Sequence, residues 1–166
     1  MYHQDEEFDK VSEPAVEYEI ERNKPMPSRN HSIIQSRLNI ALGKKYDDRY
    51  EFMTEVNLTL PNVKPSVPDI SIFPKVEIDL LQDEIRVTEP PITTIEILSP
   101  KQALDDLKDK IFDIYFPASV QSSWIVVPTF RTVYIFTPNK KYQTFNSGTL
   151  NDPATGITLE LDDFFP

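Results

Sequence analysis

Ile92-Thr-Thr-Ile-Glu-Ile-Leu-Ser-Pro100 is the stretch on which the reading of this chain turns. β-branched residues surround a single acid, Glu96, and Ser99-Pro100 then cuts the run short. That composition predicts a strand over 92–98 with a carboxylate in its interior, where an acid is costly unless something pairs with it. Beyond it, Leu104, Leu107, Ile111, Ile114 and Tyr115 recur at helical spacing. They predict a helix that opens at Ser99-Pro100, runs to about Phe116 and stops at Pro117.

Upstream, Asp69-Ile-Ser-Ile-Phe73 predicts a second short strand, with Asp69 placed directly after Pro68. Residues 50–60 alternate polar and apolar from Thr54 onward, the pattern of a half-buried strand, and Pro61, Pro65 and Pro68 follow as a rigid loop. The acidic stretch from Pro74 to Pro91 reads as a surface excursion with a short helix near 77–82. Further back, Ile34, Leu38 and Leu42 predict a helix from His31 to about Lys44, with Asn30 as its N-cap and Gly43 at its end. Val16–Ile20 suits a brief strand, and residues 1–15 form an acidic lead-in. Downstream, Trp124-Ile-Val-Val127 and Thr132-Val-Tyr-Ile-Phe136 predict an antiparallel hairpin, with Trp124 in the core and the tail from Leu159 to Phe165 packed back on the body. The element order is strand, helix, three strands, helix, hairpin.

Composition narrows the chemistry. The chain has 166 residues, enough for one domain, and 17 Lys plus Arg against 27 Asp plus Glu give a net charge of −10. The absence of cysteine removes disulfides, thiol nucleophiles and cysteine-ligated metals. Two histidines cannot build an HExxH zinc site, and three glycines leave neither a GxGxxG nor a Walker A loop. Catalysis would have to come from carboxylates, lysines, hydroxyls and a hard metal ion held by oxygen. The acidic balance argues against a purely electrostatic nucleic-acid binder. No apolar run is long enough to span a membrane, and Met1-Tyr-His-Gln-Asp-Glu-Glu7 does not read as a secretory signal, so a cytoplasmic location is expected.

If the strands bearing Asp69 and Glu96 pair, the two acids can converge on a divalent cation; two solvent-facing acids on edge strands are the plain alternative. Lys110 lies at the border of the second helix's apolar stripe. There it can lean over the sheet end toward a phosphate, or simply snorkel to water, with Lys101 and Lys108 as nearby competitors. His31 and Gln35, at i and i+4, continue the line of Leu38 and Leu42 and should face the sheet. Glu19 and Glu55 are further acids. For Glu55 the alternation favours a solvated face.

Lys24-Pro-Met-Pro-Ser28, His31, Gln35 and Leu38, then Val67-Pro-Asp-Ile70, Ile95-Glu-Ile-Leu-Ser-Pro100, Lys110, Tyr115 and Trp124-Ile-Val-Val-Pro128 together resemble the Uma-two family of restriction endonucleases, part of the PD-(D/E)xK nuclease superfamily. The resemblance spans about residues 16–165. It implies an α/β restriction-endonuclease-like core, a central mixed sheet flanked by helices, as one domain over 16–166. By position, Asp69 matches the metal-binding aspartate and Glu96 the acid of the (D/E)xK element. Leu98 stands where that element has lysine, so the resemblance implies a migrated lysine, Lys110, at the family's spacing from Tyr115.

The leading expectation is Mg2+ or Mn2+ held by Asp69, Glu96 and the carbonyl of Ile97, with His31, Gln35 and Glu19 or Glu55 completing the pocket, DNA as substrate, and a homodimer by superfamily analogy. Departures lie near the tryptophan: Ala118-Ser-Val-Gln-Ser-Ser-Trp124 replaces the family's glycine-valine turn and Glu-Tyr-Trp, and Val127 precedes Pro128 in place of aspartate. A catalytically silent nuclease-fold module binding nucleic acid or protein is the rival reading, and a hydrolase of a smaller phosphorylated substrate a third.

Overall fold

The computed structural model describes residues 26–166. Its centre is a six-stranded mixed sheet built from β1 (Tyr50–Thr54), β3 (Ile70–Pro74), β5 (Thr93–Ile97), β6 (Ser122–Val127), β7 (Thr132–Thr137) and β8 (Lys141–Phe145), side by side in that order. Only β5 and β6 run parallel, and the helix between them supplies the crossover that parallel neighbours need. β2 (Asn57–Leu58) and β4 (Arg86–Val87) form a small parallel pair, and β9 (Thr149–Asn151) and β10 (Thr158–Glu160) a short hairpin.

One helix covers each face. α1 (Arg29–Tyr46) lays Ile34, Leu38 and Leu42 on Ile95, Ile97 and Trp124, and the β9–β10 hairpin closes the same core with Leu150 and Leu159. α2 (Leu104–Lys110), continued by a π-helical turn over Ile111–Tyr115, packs Leu107, Ile111 and Tyr115 against Ile125, Val127 and Phe73 on the other face. β5 is buried along its whole length, as its β-branched composition requires.

Several local expectations shift. Ser28, not Asn30, caps α1: its hydroxyl accepts the His31 N–H at 3.2 Å. Gly43 lies inside the helix, which ends when the Asp47 N–H reaches the Gly43 carbonyl. The expected strand over 50–60 is two strands, because Glu55 takes a left-handed φ of 54° and turns the chain between β1 and β2. No helix forms at 77–82. Leu80 and Leu81 there are exposed, so no apolar face is buried to stabilise one. α2 starts at Leu104, four residues beyond Pro100, because Ser99 and Gln102 first close a turn. The 124–127 and 132–136 strands do form the expected antiparallel hairpin, and Phe164 and Phe165 pack into the core. The suggested strand at 16–20 and the 1–15 lead-in lie outside the described residues. No helix among the described residues is long and apolar enough to cross a membrane.

Candidate active site

The two acids meet through strand pairing. β3 and β5 run antiparallel with Ile70 opposite Ile95, so one further step sets Asp69 across from Glu96 where the two strands meet at one end of the sheet. Both are out of water, Asp69 at 0% and Glu96 at 1% exposure. Desolvation on this scale must be offset by donors, and donors are present.

Glu96 is gripped from α2 and its π-turn. Its Oε1 accepts from Lys110 Nζ at 3.0 Å and from the Tyr115 hydroxyl at 2.5 Å. Tyr115 also meets Ser66 Oγ at 2.9 Å, so a hydroxyl on the 61–68 loop extends the chain of bonds. Burial, followed by the neighbouring Glu96 carboxylate, raises the Tyr115 pKa well above its ordinary 10.0, and the Asp69 charge adds to the effect. Tyr115 is therefore protonated, and donates, throughout the neutral range. Lys110 is itself only 5% exposed. A buried lysine–carboxylate pair is a poor way to stabilise a fold, since two desolvation costs oppose one attraction, and such pairs gather at functional sites.

Asp69 is held from the backbone and from α1. Its Oδ2 accepts the Ile97 N–H at 2.7 Å. His31 Nε2 stands 3.1 Å from the same oxygen, within ion-pair reach but without hydrogen-bond alignment, and neither ring nitrogen has a hydrogen-bond partner among the described residues. Gln35 Nε2 donates to the Asp69 carbonyl at 3.2 Å, and the Glu55 N–H reaches that carbonyl at 3.1 Å. The Glu55 side chain is half-buried and lines a shallow cleft with Gln35 and Ser36.

The structure thus brings together Asp69, Glu96, Lys110, Ile97, His31 and Gln35, with Glu55 at the margin. Glu19 lies outside the described residues. Ser66, between prolines, reads from sequence as loop, and Tyr115, which marks the apolar stripe and the family's spacing from Lys110, gives no sequence sign of a hydroxyl on Glu96.

A groove of about 720 Å³ opens beside Lys110, lined by Asn62, Lys64, Lys101, Gln102, Asp106 and Asp109 among others. The remaining cations divide. Lys45 binds Thr158 at the far end of α1, Arg49 lies over the Tyr46 and Tyr50 rings, and Lys108 pairs with Asp105 at 2.8 Å. α1 is about 27 Å long, so this far-end group does not ring the site.

The donor set suits a hard cation. Carboxylate oxygens are the ligands Mg2+ and Mn2+ favour. Among the described residues no group of three His, Cys, Asp or Glu side chains forms a metal cage.

The chain is similar to a crystal structure from Anabaena variabilis titled a putative nuclease belonging to DUF820, with 26% identity over 85% of this chain and 83% of that one and a TM-score of 0.71. No curated protein matches. A family profile described as "Putative restriction endonuclease" matches residues 5–163, and the chain belongs to that family, Uma2.

Proposed function

We propose that this chain is a divalent-metal-dependent endonuclease that hydrolyses phosphodiester bonds in DNA through a PD-(D/E)xK-type site with a migrated lysine, using Asp69, Glu96 and Lys110. The observation that carries the reading is the buried Lys110–Glu96 contact of 3.0 Å opposite Asp69. An amine and two carboxylates gather where a core-building sequence would place aliphatic residues.

Asp69, Glu96 and the Ile97 carbonyl would hold Mg2+ or Mn2+. Such an ion, when bound, lowers the pKa of a coordinated water and draws charge from the scissile phosphate. Lys110, which reaches Glu96 and lines the groove, would orient the attacking water or stabilise charge on the phosphate oxygens. Tyr115 fixes the Glu96 carboxylate, and Gln35 and the Ile97 N–H fix the backbone and side chain of Asp69. His31 stands against Asp69 on the α1 side, and Glu55 and Glu19 are supporting acids of the pocket.

One observation favours a module that binds without cutting: the far-end cations of α1 are spent on Thr158 and two tyrosine rings, away from the site. Plasmid incubated with Mg2+ or Mn2+ separates the readings. Cleavage by the wild type, abolished in Glu96→Ala and Lys110→Ala, supports the nuclease. Equal activity in all three removes the assigned roles, and a wild type silent with either metal points to the binding module.

A further inference from the structure

Among the described residues, large aliphatic side chains are most exposed on the segment joining β3 to β4. Leu80 is 90%, Leu81 95% and Ile85 86% exposed, with Ile78 at 63% and Val76 at 48%. Acids are threaded between them: Glu77, Asp79, Asp83 and Glu84. A monomer surface seldom gathers this much apolar area in one place, and charge on every side of it specifies what can cover it.

The outer side of α1 has the complementary chemistry. Ile33 and Ile40 are exposed there, at 38% and 53%. Arg29, Arg37 and Lys44, also exposed, share their stripe, since steps of three and four residues stay on one side of a helix. The charged residues of α1 are Arg29, Arg37, Lys44 and Lys45, all basic. The segment is therefore aliphatic and acidic and the α1 stripe aliphatic and basic, with Glu55, Glu160 and Asp163 at the margins of the clefts beside Ile40.

We infer that two copies of this chain pair reciprocally, the 76–85 segment of each seated on the outer stripe of α1 of its partner. A second copy is the occupant because one chain carries both halves of the match, and a two-fold arrangement uses each half twice. A polyanion would suit the α1 cations and be repelled by the segment's acids. A neutral apolar partner would leave four carboxylates facing it without counter-charge. Overall net charge does not forbid the pairing, because screening at physiological salt confines repulsion to about 8 Å while the matched groups touch. The pairing rests on these two surfaces alone and is independent of whether the chain cuts DNA.

Sedimentation equilibrium on the full chain tests it. At roughly 100 µM, where contacts of ordinary interface size are populated, the wild type should run at twice the 19.2 kDa chain mass. Arg37→Glu/Lys44→Glu makes both surfaces acidic and should be monomeric; Glu77→Lys/Asp79→Lys/Asp83→Lys makes the segment basic like α1 and should be monomeric as well. Mixing the two variants restores opposite charges at both contacts, so the mixture should recover the dimer. A monomeric wild type overturns the proposal. So does a wild-type dimer that persists in both variants, or a mixture that stays monomeric.

Discussion

Two buried carboxylates, on opposite faces of one sheet, keep very different company. Asp152, at 0% exposure, accepts from the Ser122 hydroxyl at 2.5 Å, the Trp124 indole at 2.8 Å and the Ala154 N–H at 2.9 Å. All three donors are neutral, and Ser122 is further tied to Thr93 at 2.7 Å. Glu96 is instead held by an ammonium and a tyrosine hydroxyl, across from a second acid and beside a groove. Neutral donors around an isolated acid make a peg that fastens the β9–β10 hairpin to the sheet. A cation and a second carboxylate make a charge arrangement that an incoming metal ion or phosphate can redistribute. Burial of an acid alone does not mark a site; the charge of its partners does.

The sharpest way to break the comparison is to neutralise each acid. Glu96→Gln should lower plasmid cleavage by about a thousandfold, near 4 kcal/mol of transition-state stabilisation, whereas Asp152→Asn should leave cleavage per folded molecule unchanged. Equal losses in both would erase the distinction. Stability should run the other way: Asp152→Ala leaves the Ser122 and Trp124 donors unsatisfied and should cost about 3 kcal/mol in urea unfolding with no change of metal requirement. Tyr115→Phe removes one donor from Glu96 and keeps the ring. It should cost about 1–2 kcal/mol, and a cleavage rate that falls with KM unchanged would show that Glu96 had been set for chemistry.

The smallest effect is in pH. Because the folded Tyr115 pKa lies above the unfolded 10.0, its contribution is complete below pH 10 and is lost as pH rises beyond it. Wild-type stability should therefore drop above pH 10 more steeply than that of Tyr115→Phe. Parallel curves would mean that neither burial nor the Glu96 charge raises the Tyr115 pKa in the folded chain.

Legibility followed the range of the forces involved. Asp69 and Glu96 stood out because an acid amid Ile and Thr breaks a short-range pattern; Lys110, at the border of an apolar stripe beside Lys101 and Lys108, was singled out only by the family's spacing from Tyr115. The β5–β6–β7 core and α1 were readable for the same reason. β8, with Lys141-Tyr-Gln-Thr-Phe145, has no alternation to announce it and forms because β7 offers a free edge. Asp152 precedes Pro153 in what looks like an exposed turn, and only Ser122 and Trp124, far back in the chain, draw it inside. Ser28 takes the cap from Asn30 because the helix begins at Arg29, which sets the Ser28 hydroxyl against the His31 N–H.

The widened turn at Ile111–Tyr115 has a consequence for how this lysine is encoded. In an ordinary helix, residues 110 and 115 would point about 140° apart and could not share one oxygen atom. The Phe116 N–H reaches back to the Ile111 carbonyl, winding five residues into the loop instead of four. One extra peptide thus swings amine and phenol to the same side. The reach of the amine therefore rests on the wide turn itself: rewinding Ile111–Tyr115 as ordinary α-helix with the same number of residues would unseat it with every named side chain still present.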